Sequence, residues 1–214
     1  MSVDSRMGDV GAASECDADE VRLPVSRIAM VARWKPVHLG HAAVLRGLSD
    51  HAEHALIGIG SSNQYNRENP FTASETAAMI QRVLAGRDNY SLFYVPDLGN
   101  GPKWRLLVRD LISEQLRTVG GSLGAFVTAN DYVRSLMHDL YPVIHPVRLV
   151  APRERSRRTG TEVRRAMLQG GDAWRRLVPP CVADYLEENH LLERFRREFP
   201  APDPAALAAS TQEA

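Results

Sequence analysis

The chain has little cysteine. Of its 214 residues two are Cys, at positions 16 and 181. Cys16 lies in a polar N-terminal arm and Cys181 in a helix-like stretch near the other end. That pair does not read as a disulfide staple, and a reduced cytoplasmic protein is expected. The chain also lacks an apolar run as long as a membrane span, and its start has no charged-then-apolar signal pattern, so no membrane partner is expected. It lacks net charge, because 26 Lys and Arg balance 26 Asp and Glu. Bulk charge therefore offers nothing to nucleic acid or an anionic surface. No clustered set of His, Cys and carboxylates has metal-ligand spacing, so no protein-held metal is expected. There is no internal repeat.

What is present is one α/β domain's worth of chain. Residues 1–22 and 199–214 are polar or rich in small residues and Pro, and are expected to be a disordered arm and tail. The folded domain should span 23–198. Strands are expected at Arg27–Ala32, Ala55–Gly60, Ser91–Val95, Gly124–Thr128 and Val143–Val150. The first, second and fourth are nearly continuous apolar runs, as parallel strands buried on both faces require. Helices are expected at 39–50, 73–85, 103–118 and 131–138, with two or three more from residue 160 onward. Thr72-Ala73-Ser74-Glu75 is a capping-box pattern that marks one helix start. The alternation predicts a single Rossmann-like, doubly wound parallel sheet with C-terminal helices. In such sheets ligands sit beyond the carboxyl ends of the strands. His38, Ser61, Asp97, Asn130 and the 151–160 loop all follow expected strands and should converge on one rim.

His38-Leu39-Gly40-His41 opens the first helix. Two histidines three apart share one side of a first helical turn, where backbone N–H groups are unpaired and the dipole is positive. Gly40 allows a ligand close to the backbone. Together these suit a polyphosphate. Taken alone the motif fits a packed or capped helix start equally well. Arg33 and Lys35 add cations just before it. Thr159-Gly160-Thr161-Glu162 opens a later helix, which Thr159 or Thr161 can cap, and Arg164 stands about one turn in, where a guanidinium can grip phosphate. Trp104 is either a packed helix-start tryptophan or a platform for a cationic ring, with Asp97 nearby.

These stretches resemble archaeal-type nicotinamide-mononucleotide adenylyltransferases of the H-x-G-H nucleotidyltransferase superfamily. Ala32 to His41 is similar to that family's G-R-F-Q-P-x-H-x-G-H opening. Gly58–Ser62 and Glu68–Thr72 are similar to I-G-I-G-S and E-N-P-F-T. Val95-Pro96-Asp97 with Trp104, Val127–Asn130, Thr159–Arg164 and Leu177-Val178-Pro179 resemble further elements, in order, from about residue 27 to 186. The resemblance implies nucleotidyl transfer: a substrate phosphate attacks the α-phosphorus of a nucleoside triphosphate and pyrophosphate leaves. It implies catalytic roles for His38, His41, Arg33 and Arg164. It implies binding roles for Lys35, Thr159, Gly160, Thr161, Asn130, Ser61, Asp97 and Trp104. Mg²⁺ would be bound through the nucleotide phosphates, and relatives commonly form homo-oligomers.

The chain departs from the family pattern at Ala32, Trp34, Lys35, Arg158-Thr159, Asp131-Tyr132 and the Gly-rich loop 98–102. The leading expectation is ATP plus nicotinamide mononucleotide giving NAD. The alternative is a cytidylyltransferase acting on a small phosphate or phosphonate, which the added cations Lys35 and Arg158 would suit. A nucleotide-binding regulator without turnover is a third reading, opposed by the presence of both histidines, Arg33 and Arg164. A tRNA-synthetase fragment would share H-x-G-H, but the chain has neither room for a tRNA-binding domain nor a basic balance.

Overall fold

A computed structural model describes residues 22–156 and 158–201. The expected arm and tail fall outside these residues except for Arg22 and positions 199–201, and Cys16 falls outside them too. Five strands form one sheet: β1 (Val25–Ala32), β2 (Ala52–Gly60), β3 (Tyr90–Val95), β4 (Ala125–Val127) and β5 (Val143–Ile144). Their order is β3-β2-β1-β4-β5 and every pairing is parallel. Among the described residues seven α-helices accompany them: α1 (Leu39–Asp50), α2 (Ala73–Val83), α3 (Gly101–Val119), α4 (Asp131–Met137), α5 (Gly160–Leu168), α6 (Pro180–Glu188) and α7 (Leu191–Glu198).

Strand periodicity sends alternate side chains to opposite faces. Ile28, Ile57 and Ile59 join Leu45, Leu48, Trp174 and Phe195 beneath α1, α2 and the C-terminal helices. Ala29, Leu56 and Phe126 join Val108, Ile112 and Met137 beneath α3 and α4. The sheet is thus covered on both sides, as its apolar strands require.

Local signals set several boundaries. Thr72 caps α2 in a capping box with Glu75, as its sequence predicts. Helix α1 spans 39–50 as expected. Helix α3 begins two residues before its expected start, because Asn100 caps it and Pro102 occupies the first turn, where its missing N–H is no loss. The expected strand at Val143–Val150 is corrected: it ends at Ile144, and Pro146–Leu149 is a 3₁₀ turn. Pro146 cannot donate to a ladder, and His145 caps the turn by accepting the Val147 N–H at 3.1 Å. Phe199, assigned to the tail by sequence, packs against Tyr65 and Phe195.

Strand β1 is the point from which the chain winds outward in two directions. At such a switch point the loops beyond neighbouring strands part and leave a crevice.

Candidate active site

The crevice beyond β1 holds two cavities, one on each side of the strand. The first, about 390 Å³, lies toward α3 and α4 and is lined by Arg33, Ser61, Asp97, Trp104 and Tyr132, among others. The second, about 340 Å³, lies toward α1 and is lined by His38, Gly40, His41, His145, Arg155 and Ser156, among others.

The histidine pair is built by the helix start. His38 is the N-cap of α1, and its Nδ1 accepts the His41 backbone N–H at 3.2 Å. An accepting Nδ1 carries no proton, so neutral His38 must present Nε2–H as a donor. His41 turns its Nδ1 to the Pro36 carbonyl oxygen at 3.3 Å. A carbonyl can only accept, so this nitrogen holds the proton and Nε2 is left with a lone pair. The rings stack with centroids 3.6 Å apart, and the Trp34 ring meets His41 edge-on at 5.0 Å. Burial, with the nearby Arg164 cation, lowers the His38 pKa to about 4. Burial and the stacked His38 hold His41 well below the usual histidine range. Both rings are therefore neutral at neutral pH. At Gly40 an added Cβ would lie 3.2 Å from the His38 ring and 3.4 Å from Ser156, so a side chain there would crowd the motif.

Helix α5 supplies the opposing wall. Thr159, not Thr161, is its cap, and it forms a capping box with Glu162. That box satisfies the N–H groups of Thr159 and Glu162. The Gly160 and Thr161 N–H groups, on the first two helical residues, have no intrahelical acceptor and lie at the positive end of the dipole. Arg164 donates to the Lys35 carbonyl at 2.9 Å and to Thr161 Oγ1 at 3.2 Å, which fixes its guanidinium. Burial and Arg33 lower its pKa.

The loop from 33 to 37 ties these parts together. Trp34 is fully buried, and its Nε1–H donates to the Gly58 carbonyl at 2.9 Å. Arg33 is exposed and lines the first cavity. Lys35 does not line either cavity as expected of a substrate cation; it is 2 % exposed and donates to the Ser61 carbonyl at 2.8 Å. Ser61 itself lines the first cavity and has φ 47°. Asn130 lines neither cavity: it caps α4 by accepting the Val133 N–H, while its neighbours Ala129 and Tyr132 do line them. Asp97 and Trp104 come together as expected.

Sequence reasoning missed Tyr132, His145, Arg155 and Ser156. His145 follows the β5 strand end and had a signal in its His-Pro pair. Tyr132 had one in its departure from the family pattern. Arg155, which donates to the Val150 and Val147 carbonyls, was indistinguishable from the other loop arginines. Among the described residues no group of three or more His, Cys, Asp or Glu could hold a metal ion.

A stacked helix-cap histidine pair facing a second helix N-terminus, at the switch point of a parallel sheet, defines a nucleotide-transfer class of protein. Comparison with known proteins agrees. The profile of the Cytidylyltransferase-like family matches residues 30–166. The chain is 31% identical over 173 residues to a nicotinamide-nucleotide adenylyltransferase of Methanococcus maripaludis, covering 80% of this chain and 94% of that one. It is 32% identical over 179 residues to the enzyme of that name in Methanoculleus marisnigri, covering 81% and 97%. A structure of a bifunctional NMN adenylyltransferase/ADP ribose pyrophosphatase from Francisella tularensis superposes with a TM-score of 0.59 at 20% identity, covering 83% of this chain and 57% of that one. That likeness concerns the fold. The chain belongs to the cytidylyltransferase-like nucleotidyltransferases and, within them, to the nicotinamide-nucleotide adenylyltransferase family.

Proposed function

We propose that the protein joins the adenylyl group of ATP to nicotinamide mononucleotide, giving NAD and pyrophosphate. An oxygen of the mononucleotide phosphate forms a bond to the α-phosphorus, and the bond from that phosphorus to the bridging oxygen of the β-phosphate breaks. The attacking phosphate is already ionised, so positioning and charge stabilisation suffice. His38 donates Nε2–H to a phosphate oxygen. His41 takes a proton at Nε2 once the polyanion is bound, and then donates as an imidazolium. Arg164, Arg33 and the Gly160 and Thr161 N–H groups hold the remaining oxygens, with Thr159 shaping the helix start. Asp97 and Trp104 receive the ring of the acceptor, Ser61 forms the wall between, and Asn130 holds α4 in place. A divalent cation, Mg²⁺ in this reading, arrives as part of the nucleotide substrate.

One observation carries this reading. Arg164 stands beside the neutral histidine pair and Arg33 stands near Arg164, and neither has a carboxylate partner within ion-pair distance among the described residues. Cations so placed lack a counter-charge that a polyphosphate would supply. The cytidylyltransferase alternative drew on Lys35 and Arg158 as cations for a compact acceptor. Lys35 is buried on a carbonyl and Arg158 lies outside the lining of the first cavity, so that support is weaker.

The test is pyrophosphate release with ATP, CTP, GTP and UTP, each crossed with nicotinamide mononucleotide, its acid form, and small phosphates and phosphonates. Turnover with ATP and nicotinamide mononucleotide at the highest kcat/KM is expected. A higher value for CTP with a phosphonate would replace the reading.

A further inference from the structure

Lys35 stands where the two walls of the site meet. It is one of two lysines in a chain that otherwise uses arginine for its cations. Its Nζ donates to the Ser61 carbonyl at 2.8 Å, and its own carbonyl accepts from Arg164 at 2.9 Å. Trp34 beside it is bonded to β2, and the Pro36 carbonyl on the other side is bonded to His41.

The fold has no need of this ammonium. No carboxylate lies within ion-pair distance of it among the described residues, and Arg33 is its charged neighbour. A buried cation without a counter-ion opposes folding. The Ser61 carbonyl already accepts the Gln64 N–H at 3.1 Å, so removing Lys35 would orphan nothing. What the ammonium adds is a second, charged donor on a residue whose φ of 47° is disfavoured for serine. That residue shapes the acceptor cavity.

We infer that Lys35 is a positioning residue that couples the two walls: its ammonium holds the Ser61 bend against the acceptor, and its carbonyl holds the Arg164 clamp. The inference rests on the function proposed above.

Lys35→Met tests it, because Met keeps the buried stem and the carbonyl but loses the ammonium. The expected KM for nicotinamide mononucleotide rises about tenfold, the size of a charged hydrogen bond. The KM for ATP should stay within about twofold, because the carbonyl that holds Arg164 remains. The Tm at pH 7 should equal or exceed that of the wild type. In the wild type the acceptor KM should also climb above pH 8, since burial and Arg33 lower the Lys35 pKa to about 8; in Lys35→Met it should not. The groups facing the ammonium are Arg33 from its own loop, the Ser61 carbonyl from the bend after β2 and, across the Lys35 carbonyl, Arg164 from α5; both arginines keep their charge throughout that range. A lower Tm with unchanged Michaelis constants would make Lys35 a fold residue and overturn the inference, as would equal rises in both KM values. A wild type inert toward nicotinamide mononucleotide would instead overturn the proposed function. The stability arm, which needs no substrate, then decides the question for Lys35: a destabilised Lys35→Met overturns the inference and an undiminished Tm supports it.

Discussion

The two sides of β1 are built differently. On the phosphate side each key group is held by the protein before any ligand arrives. His38 is fixed by the His41 N–H, His41 by the Pro36 carbonyl, and Arg164 by the Lys35 carbonyl and Thr161. On the acceptor side the groups stand on loops and helix starts and are more open. Asp97 is exposed and bonds the Gly99 N–H, Trp104 is half-buried, and Tyr132 is 61 % exposed. The difference separates two tasks. Charge developing on a phosphorus is best stabilised by dipoles that need not reorganise. A ring can be received by aromatic surfaces, whose attraction depends less on direction. Variants on the first side should therefore act on kcat, and variants on the second on the acceptor KM.

The comparison can be broken at several points. The largest effect is expected from His41→Ala, which should lower kcat by on the order of 10²–10³ with an intact fold, as loss of one group aimed at the developing charge does. Steady-state kinetics with a circular-dichroism control check it, and near-normal turnover would remove the pair from the chemistry. Trp104→Ala should raise the KM for nicotinamide mononucleotide about tenfold and leave that for ATP nearly unchanged. A matching loss in kcat would mean that the acceptor side is not merely a receiving surface. Tyr132→Ala should raise the same KM about threefold, with Tyr132→Phe close to wild type, because an aromatic face is what such a cavity offers a ring. The remaining effect is on stability and leaves turnover at neutral pH out of account. His38 titrates near 4 in the folded protein against 6.5 when unfolded, so the unfolded chain binds more protons between those values. Stability must then fall as pH drops from about 6.5 toward 4. His38→Asn keeps a capping side chain without the titration. Its Tm should decline less over that range, and parallel Tm curves would contradict the assigned cause.

Much of this was legible in the chain. Apolar runs at Arg27–Ala32 and Ala55–Gly60 read as buried parallel strands, and they lie in β1 and β2. The capping box at Thr72 located one helix start, because a side-chain oxygen three residues before a Glu has few other uses, whereas Thr159 and Thr161 were both candidates until the structure made Thr159 the cap of α5. The H-x-G-H stretch by itself fitted an anion site and a packed helix start equally well. Other features were not legible. Val143–Val150 has strand composition throughout, yet His145-Pro146 ends the ladder after two residues. Lys35 had the charge of a ligand-binding residue but is turned inward, because the bend at Trp34, with φ 55°, sends its side chain to Ser61. Tyr132 stood out only as a departure from the family pattern, and it reaches the cavity because position 101 is glycine, where an added Cβ would collide with its hydroxyl.

By itself, then, the sequence determined the alternation of strands and helices, several helix starts and the presence of an H-x-G-H motif at the first of them. These depend on neighbours within a few residues, on hydrophobic period and on capping chemistry. Only the tertiary structure decided which nitrogen of each histidine holds its proton, that Lys35 serves Ser61 rather than a ligand, and that Trp104 and Tyr132 share one cavity. Those outcomes depend on contacts such as Arg164 with Lys35, 129 residues apart in the chain, and no local pattern encodes them.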